Sequence, residues 1–455
     1  MSKKIVILGA GESGIGAAIL AKTKGHQVFV SDKSSIAKKH KAVLQAENID
    51  FEEKKHTPTR LFQADIVVKS PGIPNHIALI KELRAKNIPV ISEIEWASRH
   101  TTANIIAITG SNGKTTTTSL VYHLLKSAGF NVGLAGNIGE SFAKQVAQNN
   151  FDSYVLELSS FQLDDIVDFR PNIAIITNIT PDHLDRYNYS LDEYAAAKLK
   201  ITQNQTADDF LIYNFDDKYL GEQLQKQKIK AQKLGFSMQA ICGNFGSFIE
   251  DNKIICKTKQ NVYEIKQSFL RLKGKHNLYN TLAALTVCNL LDVKTFDIQA
   301  FLPTFAGLEH RLENVATIDE KTFINDSKAT NIDSVWYAID AMTQTTVWIV
   351  GGVDKGNDYS ELYDLVQQKV KAIVCLGKEN SKIKQVFADI VPNIVETQTA
   401  NDAVRKAFYV AKRNETILLS PACASFDLFK NYIDRGNRFK DAVLTLKKEW
   451  TAKEK

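Results

Sequence analysis

The chain has 455 residues, 44% hydrophobic and 24% charged, the balance of an ordinary globular protein with length for two to four domains, three being the expected number. Its formal net charge of +6 is spread without a basic block and excludes nucleic-acid binding, and no run reaches the roughly 18 apolar residues of a membrane span. The cysteines, Cys242, Cys256, Cys288, Cys375 and Cys423, show no CxxC spacing, which excludes a zinc or disulfide framework and points to a reducing cytoplasm.

Along residues 1–100, strand-like runs at 5–8, 28–30 and 66–68 alternate with a helix-like stretch at 14–24. That order predicts a parallel sheet with crossover helices. Gly9, Gly11 and Gly14 follow the first run and open the helix, and Asp32 ends the next run where a ribose-binding acid would stand. By itself this fingerprint fits NAD, another diphosphate on the helix N-terminus, or a tight turn without ligand.

A second block opens with a β-branched run at 105–109 that breaks into Gly110-Ser111-Asn112-Gly113-Lys114-Thr115-Thr116 and a helix-compatible stretch. Strand, Gly-rich loop and helix N-terminus together aim backbone N–H groups at phosphate, with Lys114 placed for the terminal phosphates and Thr115 for Mg²⁺. Ile108 stands where the longer phosphate-loop pattern has its first Gly, so this is a shorter variant. The chain is expected to bind ATP. Further runs at 154–158, 173–177 and 210–213 extend the sheet. Glu157 lies near the end of one, where carboxylates hold nucleotide-bound Mg²⁺, and His183 follows another on the same expected sheet edge. Lys198 sits in a helical stretch and, read by itself, is a solvated surface charge.

Between 236 and 272 the texture changes to short alternating pieces, with a hairpin turn at Asp251-Asn252, and predicts a small antiparallel annex. A helix at 277–290 and a breaker-rich linker at 301–307 follow. Runs at 347–350, 373–376 and 417–420 then lead into Gly351-Gly352, Gly377 and Pro421, a third open sheet with its ligand edge at the carboxyl ends. The expected class is α/β: three domains, 1–100, 101–300 and 301–455, each an open, mostly parallel sheet with flanking helices, the central one an ATPase of phosphate-loop type bearing the annex.

Gly110–Thr116, Glu157-Leu158-Ser159-Ser160, the segment from Asn178 to Asp185 and the helix carrying Lys198 together resemble the Mur ligase family, ATP-dependent enzymes of peptidoglycan precursor synthesis. The resemblance runs the length of the chain. Within that family, the stretch Leu419 to Asp427, with Phe429 to Tyr432 and Arg435-Gly436-Asn437, is similar to the branch that adds D-glutamate to UDP-N-acetylmuramoyl-L-alanine.

The resemblance implies ATP phosphates on Gly110, Ser111, Asn112, Gly113, Lys114, Thr115 and Thr116, with Asn280 at the adenine and His310, Arg311 and Asp326 closing on the nucleotide. It implies one Mg²⁺ on Thr115 and Glu157, and a second served by His183 and a carbamylated Lys198. Ser13, Asp32, Gly72, Asn137 and Ser159 would hold the UDP-substrate, and Thr330, Lys355, Ser425, Phe426 and Tyr432 the D-glutamate. Tyr432 stands where Phe is usual, and Glu12 and Asp32-Lys33-Ser34 depart from the commoner residues around the uridine. Lys114, Glu157, His183, Lys198 and Arg311 are the implied catalytic set, in a cytoplasmic monomer with no membrane insertion. An NAD dehydrogenase built on Gly9–Gly14 leaves Lys114 and the third sheet unexplained. A nucleotide-gated binding protein leaves Glu157 and His183 without a task.

Overall fold

The computed structural model describes residues 2–240, 245–259, 261–272 and 274–453, so Cys242 lies outside the described residues. The chain forms two compact units, 1–271 with 279–305, and 272–278 with 306–455. Among the described residues the strands make three sheets, two in the first unit and one in the second.

The first sheet holds β1 (Lys4–Leu8), β2 (Gln27–Ser31), β3 (Asp50–Glu52), β4 (Ile66–Lys69) and β5 (Val90–Ser92) in the order 3-2-1-4-5. All pairings are parallel. Strands such as Ile5-Val6-Ile7-Leu8 are buried on both faces, which is why they read as continuous apolar runs. The order reverses between β1 and β4, so a ligand crevice opens at their carboxyl ends. There Gly9 (φ +92°) faces Ser70, and any larger residue would strike the Ser70 side chain.

The central sheet takes β6 (Asn104–Thr109), β7 (Val132–Gly136), β8 (Ser153–Glu157), β9 (Ile173–Ile176), β10 (Phe210–Asn214), β11 (Gln232–Ser237), β12 (Gly246–Glu250), β13 (Lys253–Lys257) and β14 (Val262–Lys266), in the order 14-13-12-11-10-9-6-8-7. It is parallel from β7 to β12 and antiparallel from β12 to β14. The antiparallel pieces are therefore the outer strands of the central sheet, where the sequence predicted an annex. The turn at Asp251 and Asn252 has both residues at positive φ (46° and 59°), the geometry that matches hairpin twist.

One continuous core joins the first two sheets: Ile94, Trp96 and Ala97 of the helix Glu93–Ser98 belong with Phe142, Tyr154 and Leu163 of the central domain. A buried ion pair stands beside it. Lys69 Nζ lies 2.9 Å and Arg84 Nη2 2.7 Å from the two oxygens of Asp165, with Lys69 and Asp165 almost fully enclosed.

The third sheet contains β15 (Glu313–Ile318), β16 (Lys321–Asn325), β17 (Thr346–Val350), β18 (Val370–Leu376), β19 (Ile394–Thr397) and β20 (Thr416–Leu419), in the order 15-16-20-17-18-19. Only β15 and β16 pair antiparallel, a hairpin the sequence pattern does not announce. The order reverses at β17 and β20, which aims the chain after each toward one crevice.

Candidate functional site

The phosphate loop leaves β6 between the ends of β8 and β9. Gly113 (φ +81°) is the N-cap of the helix Lys114–Ser127, and a side chain there would collide with Asn280 Oδ1. Gly110 (φ +143°) is likewise closed against Thr177. These two glycines let the loop turn its N–H groups into the helix axis, where the dipole favours an anion. Thr177 and Asn178 bracket the loop: Thr177 Oγ1 donates to Asn112 O at 2.5 Å, Asn112 N donates to Asn178 Oδ1 at 2.8 Å, and Ser111 Oγ donates to Thr180 O at 2.7 Å. Asn280, on the helix Lys275–Leu290, accepts from Thr117 Oγ1 at 3.1 Å and so braces the loop from the side.

Two ammonium groups meet on one carbonyl. Lys114 Nζ donates to Gly110 O at 2.8 Å and to Ser111 O at 2.7 Å, and Lys198 Nζ donates to the same Gly110 O at 2.7 Å. Lys198 is 1% exposed and lies over the Tyr194 ring, contrary to the solvated reading of its helix. Burial first, then the charge of Lys114, hold the Lys198 ammonium well below the ordinary lysine range, against the pull of Asp182, Glu157 and Asp164.

Glu157 ends β8 and is 1% exposed; its Oε1 accepts from Asn137 Nδ2 at 2.7 Å, while Oε2 is buried without a hydrogen-bond partner. His183 is at positive φ (53°) with its side chain about half exposed, Nε2 3.7 Å from Asp182 Oδ2 and the ring edge-on to Phe161. Thr115 is partly buried in the first turn of the phosphate-loop helix. Among the described residues no cluster of three or more His, Cys, Asp or Glu is set to hold a metal alone. A buried, unpartnered carboxylate oxygen at the end of the strand next to the phosphate-loop strand suits a hard cation that completes its shell with phosphate oxygens and water.

On the first sheet, Asp32 accepts from Ala10 N and Ser34 N, both at 2.7 Å, so this carboxylate shapes the turns after β1 and β2. Ser13 is partly buried in the first turn of the helix Glu12–Thr23, and Gly72 is exposed after β4 with open space around it. Ser159 caps the short helix Ser160–Leu163 in a capping box with Gln162.

In the second unit, Asp326 follows β16. It accepts from Ser420 Oγ at 3.0 Å and Leu312 N at 3.2 Å, and burial pushes its carboxyl up to about 7. His310 and Leu312 both take positive φ (63° and 44°) around Arg311. Burial lowers the His310 pKa, and its Nε2 is enclosed without a hydrogen-bond partner. The chain after β16, β17 and β20 is knitted together. Val353 N donates to Ala424 O at 2.8 Å, Ala422 N to Ala329 O at 3.0 Å and Ser327 Oγ to Tyr432 O at 2.8 Å. These bonds bring the segments carrying Thr330, Lys355, Ser425, Phe426 and Tyr432 to one edge. Ser425 is buried, Lys355 is exposed and Phe426 is 73% exposed.

Residue-by-residue reading gave Arg435 no role. Its guanidinium is 1% exposed and donates to Ser327 Oγ and O, Gly351 O and Cys423 O, fastening the three segments. Thr177 gives as little sign, and Asn178 shows only as the first residue of a family-like segment, because the part each plays is set by the loop it meets after the neighbouring strand. For Arg435 a signal existed in the conspicuous Arg435-Gly436-Asn437 run.

The MurD N-terminal domain profile matches residues 4–78, that of the Mur ligase middle domain 108–288, and that of the Mur ligase glutamate ligase domain 310–423. Three α/β domains in this sequence, with the phosphate loop in the second, define an ATP-dependent ligase, and the chain belongs to the Mur ligase family. It is 52% identical over 446 residues to the UDP-N-acetylmuramoylalanine--D-glutamate ligase of Christiangramia forsetii, spanning 98% of this chain and 100% of that one. It is equally similar over 445 residues to the enzyme of the same name from Bacteroides fragilis, again spanning 98% and 100%. Among solved structures it resembles in fold a pseudomurein peptide ligase type C from Methanothermus fervidus, at TM-score 0.62 and 20% identity over 98% of this chain and 100% of that one.

Proposed function

We propose that the chain is the ligase that joins D-glutamate to UDP-N-acetylmuramoyl-L-alanine at the expense of ATP, acting in the cytoplasm as a monomer. The observation that carries this reading is the phosphate loop whose lysine shares a carbonyl with buried Lys198, one strand from the half-satisfied carboxylate of Glu157. The full-length similarity to D-glutamate ligases supports the choice of substrates.

A carboxylate resists attack by an amine until one oxygen becomes a leaving group. The γ-phosphoryl of ATP therefore passes to the alanyl carboxylate, giving an acyl phosphate and ADP; the D-glutamate amine attacks the acyl carbon and phosphate departs. Positioning and charge neutralisation do most of the work in such a transfer. The loop N–H groups from Gly110 to Thr116 hold the phosphate chain, and Lys114 exchanges its two carbonyl partners for phosphate oxygens. Arg311 adds positive charge as the transfer proceeds, His310 and Asp326 hold the nucleotide, and Asn280 lies toward its adenine. Thr115 and Glu157 would hold one Mg²⁺, and His183 with Lys198 a second. These ions supply Lewis-acid neutralisation of the transferring group. Ser13, Asp32, Gly72, Asn137 and Ser159 hold the nucleotide sugar. Thr330, Lys355, Ser425, Phe426 and Tyr432 hold the amino acid.

The surroundings of Lys198 support the carbamate that the family resemblance implies. Only a neutral amine adds to CO₂, and burial beside the Lys114 ammonium shifts Lys198 toward the neutral form. Addition of that amine to CO₂ with loss of one proton would put an anionic oxygen ligand where the bare side chain offers none.

Phosphate release with Mg·ATP and UDP-N-acetylmuramoyl-L-alanine tests the reading, with D-glutamate compared against L-glutamate, L-lysine and meso-diaminopimelate. Release is expected with D-glutamate alone. Release with another amino acid reassigns the specificity, and no release with any of them ends the ligase reading.

A further inference from the structure

Asn137 stands among the nucleotide-sugar contacts above, yet its amide is already engaged at the other end of the site. β7 and β8 run parallel with Gly136 opposite Glu157. Gly136 has φ +102°, and a side chain there would enter the Glu157 backbone, so the chain after β7 closes tightly over the end of β8. From that position Asn137 makes two bonds to one residue: its N donates to Glu157 O at 2.9 Å and its Nδ2 to Glu157 Oε1 at 2.7 Å. The first fixes the backbone of Glu157 and the second fixes the rotation of its carboxylate.

The far end of the same loop is also anchored. Ser141 Oγ and Ala143 N each donate to Glu93 Oε1 at 2.7 Å, on the helix that follows β5 of the first sheet. The segment from Asn137 to Ser141 thus bridges the first sheet and the carboxylate of the central one. With Oε1 held by Asn137, Oε2 is the atom left for another ligand, buried and without a donor. An enclosed carboxylate oxygen in that condition is costly unless a positive centre completes it.

We infer that Asn137 is a positioning residue for the metal site: its amide holds Glu157 so that Oε2 meets a divalent cation, and its loop links that cation to the nucleotide-sugar end. The inference rests on the proposed function for the identity of the site, and its test needs no turnover. Mn²⁺ binding to the full chain is titrated by electron paramagnetic resonance, with an ATP analogue carrying a β–γ methylene bridge and no UDP-sugar present. Losing a group that orients a metal ligand weakens the metal by about 10–100-fold, and N137A should show a loss of that order. Because N137A takes a donor from an enclosed carboxylate oxygen, the metal-free melting temperature should fall somewhat, and Mn²⁺ binding is read at a temperature where every variant is folded. N137L, close in volume and unable to donate, repeats the test should N137A prove unstable. Glu157→Gln is the control.

If E157Q loses Mn²⁺ while both Asn137 variants bind it as the parent does, Asn137 serves the sugar only and the inference is overturned, with the ligase reading intact. If E157Q also binds Mn²⁺ normally, Glu157 is no ligand and the inference falls with that assignment. Ligase turnover of the parent chain, measured separately, reports on the proposed function by itself.

Discussion

Asp326 should give the second unit a pH signature. Its carboxyl ordinarily titrates near 3.8 and is pushed up to about 7 by burial, so between those values the folded chain keeps a proton that the unfolded chain has released. Stability therefore falls as pH rises from about 4 to 7 and levels off above, a span of roughly 4 kcal/mol at most. Asn at this position can still accept from Leu312 N and donate to Ser420. D326N should match the parent in melting temperature near pH 4, exceed it increasingly up to pH 7, and lose ATP-dependent activity. A constant gap across that range would place the perturbation elsewhere. Lys198 yields a second expectation: K198A abolishes turnover, and short-chain carboxylic acids restore part of it by supplying the missing oxygen ligand. Unchanged turnover would remove the carbamate.

These two residues differ in how far the sequence reveals them. Gly110 to Thr116 is legible because strand, glycine turn and helix start are local features. Lys198 is not, since its burial comes from a loop 88 residues away in the chain, whose carbonyl it meets. The same holds for Asn137, whose partner lies on the neighbouring strand. Family resemblance supplied both positions, and the geometry supplied what they touch.

Among elements, the contact of the first sheet with the segment after Leu163 depends on Asp165. Removing one member of an enclosed ion pair leaves the other stranded, at a cost of about 3–5 kcal/mol. D165N should lose stability of that order in urea unfolding, while K69M/D165L, which removes both enclosed charges, should lose much less. A double variant no better than the single one would show that shape, and not charge, matters there. Glu95 reinforces the same segment by accepting from Val167, Asp168 and Phe169 N, an arrangement in which an acid in the interior has ample donors. The parallel strands were readable as apolar runs. The hairpin of β15 and β16 was not, because β15 is partly exposed and its turn is Asp319-Glu320, both at positive φ without the usual Gly or Asn.

At the scale of the whole chain, each compact unit has its own apolar core, the second built from clusters around Phe323 and Trp348. After lending 272–278 to the second unit, the chain passes finally from the first to the second between Phe305 and Ala306, followed by Gly307 at positive φ (86°) and an exposed Glu309. Limited proteolysis should cut first around 306–309 and leave two resistant fragments. Early cleavage inside β6 to β10 would contradict the division. No described helix is long and apolar enough to cross a membrane.

The antiparallel end of the central sheet bears on how the protein behaves when crowded. A bare parallel edge would offer a row of unpaired N–H and C=O groups to any neighbouring molecule. Here the outermost strand, β14, alternates buried Tyr263 and Ile265 with outward Val262, Glu264 and Lys266, and the next strand inward begins and ends with lysine. A foreign strand seeking to add to that border meets Glu264 and Lys266 at alternate steps, so the short strands at this end make it a poor template for pairing with a neighbouring molecule.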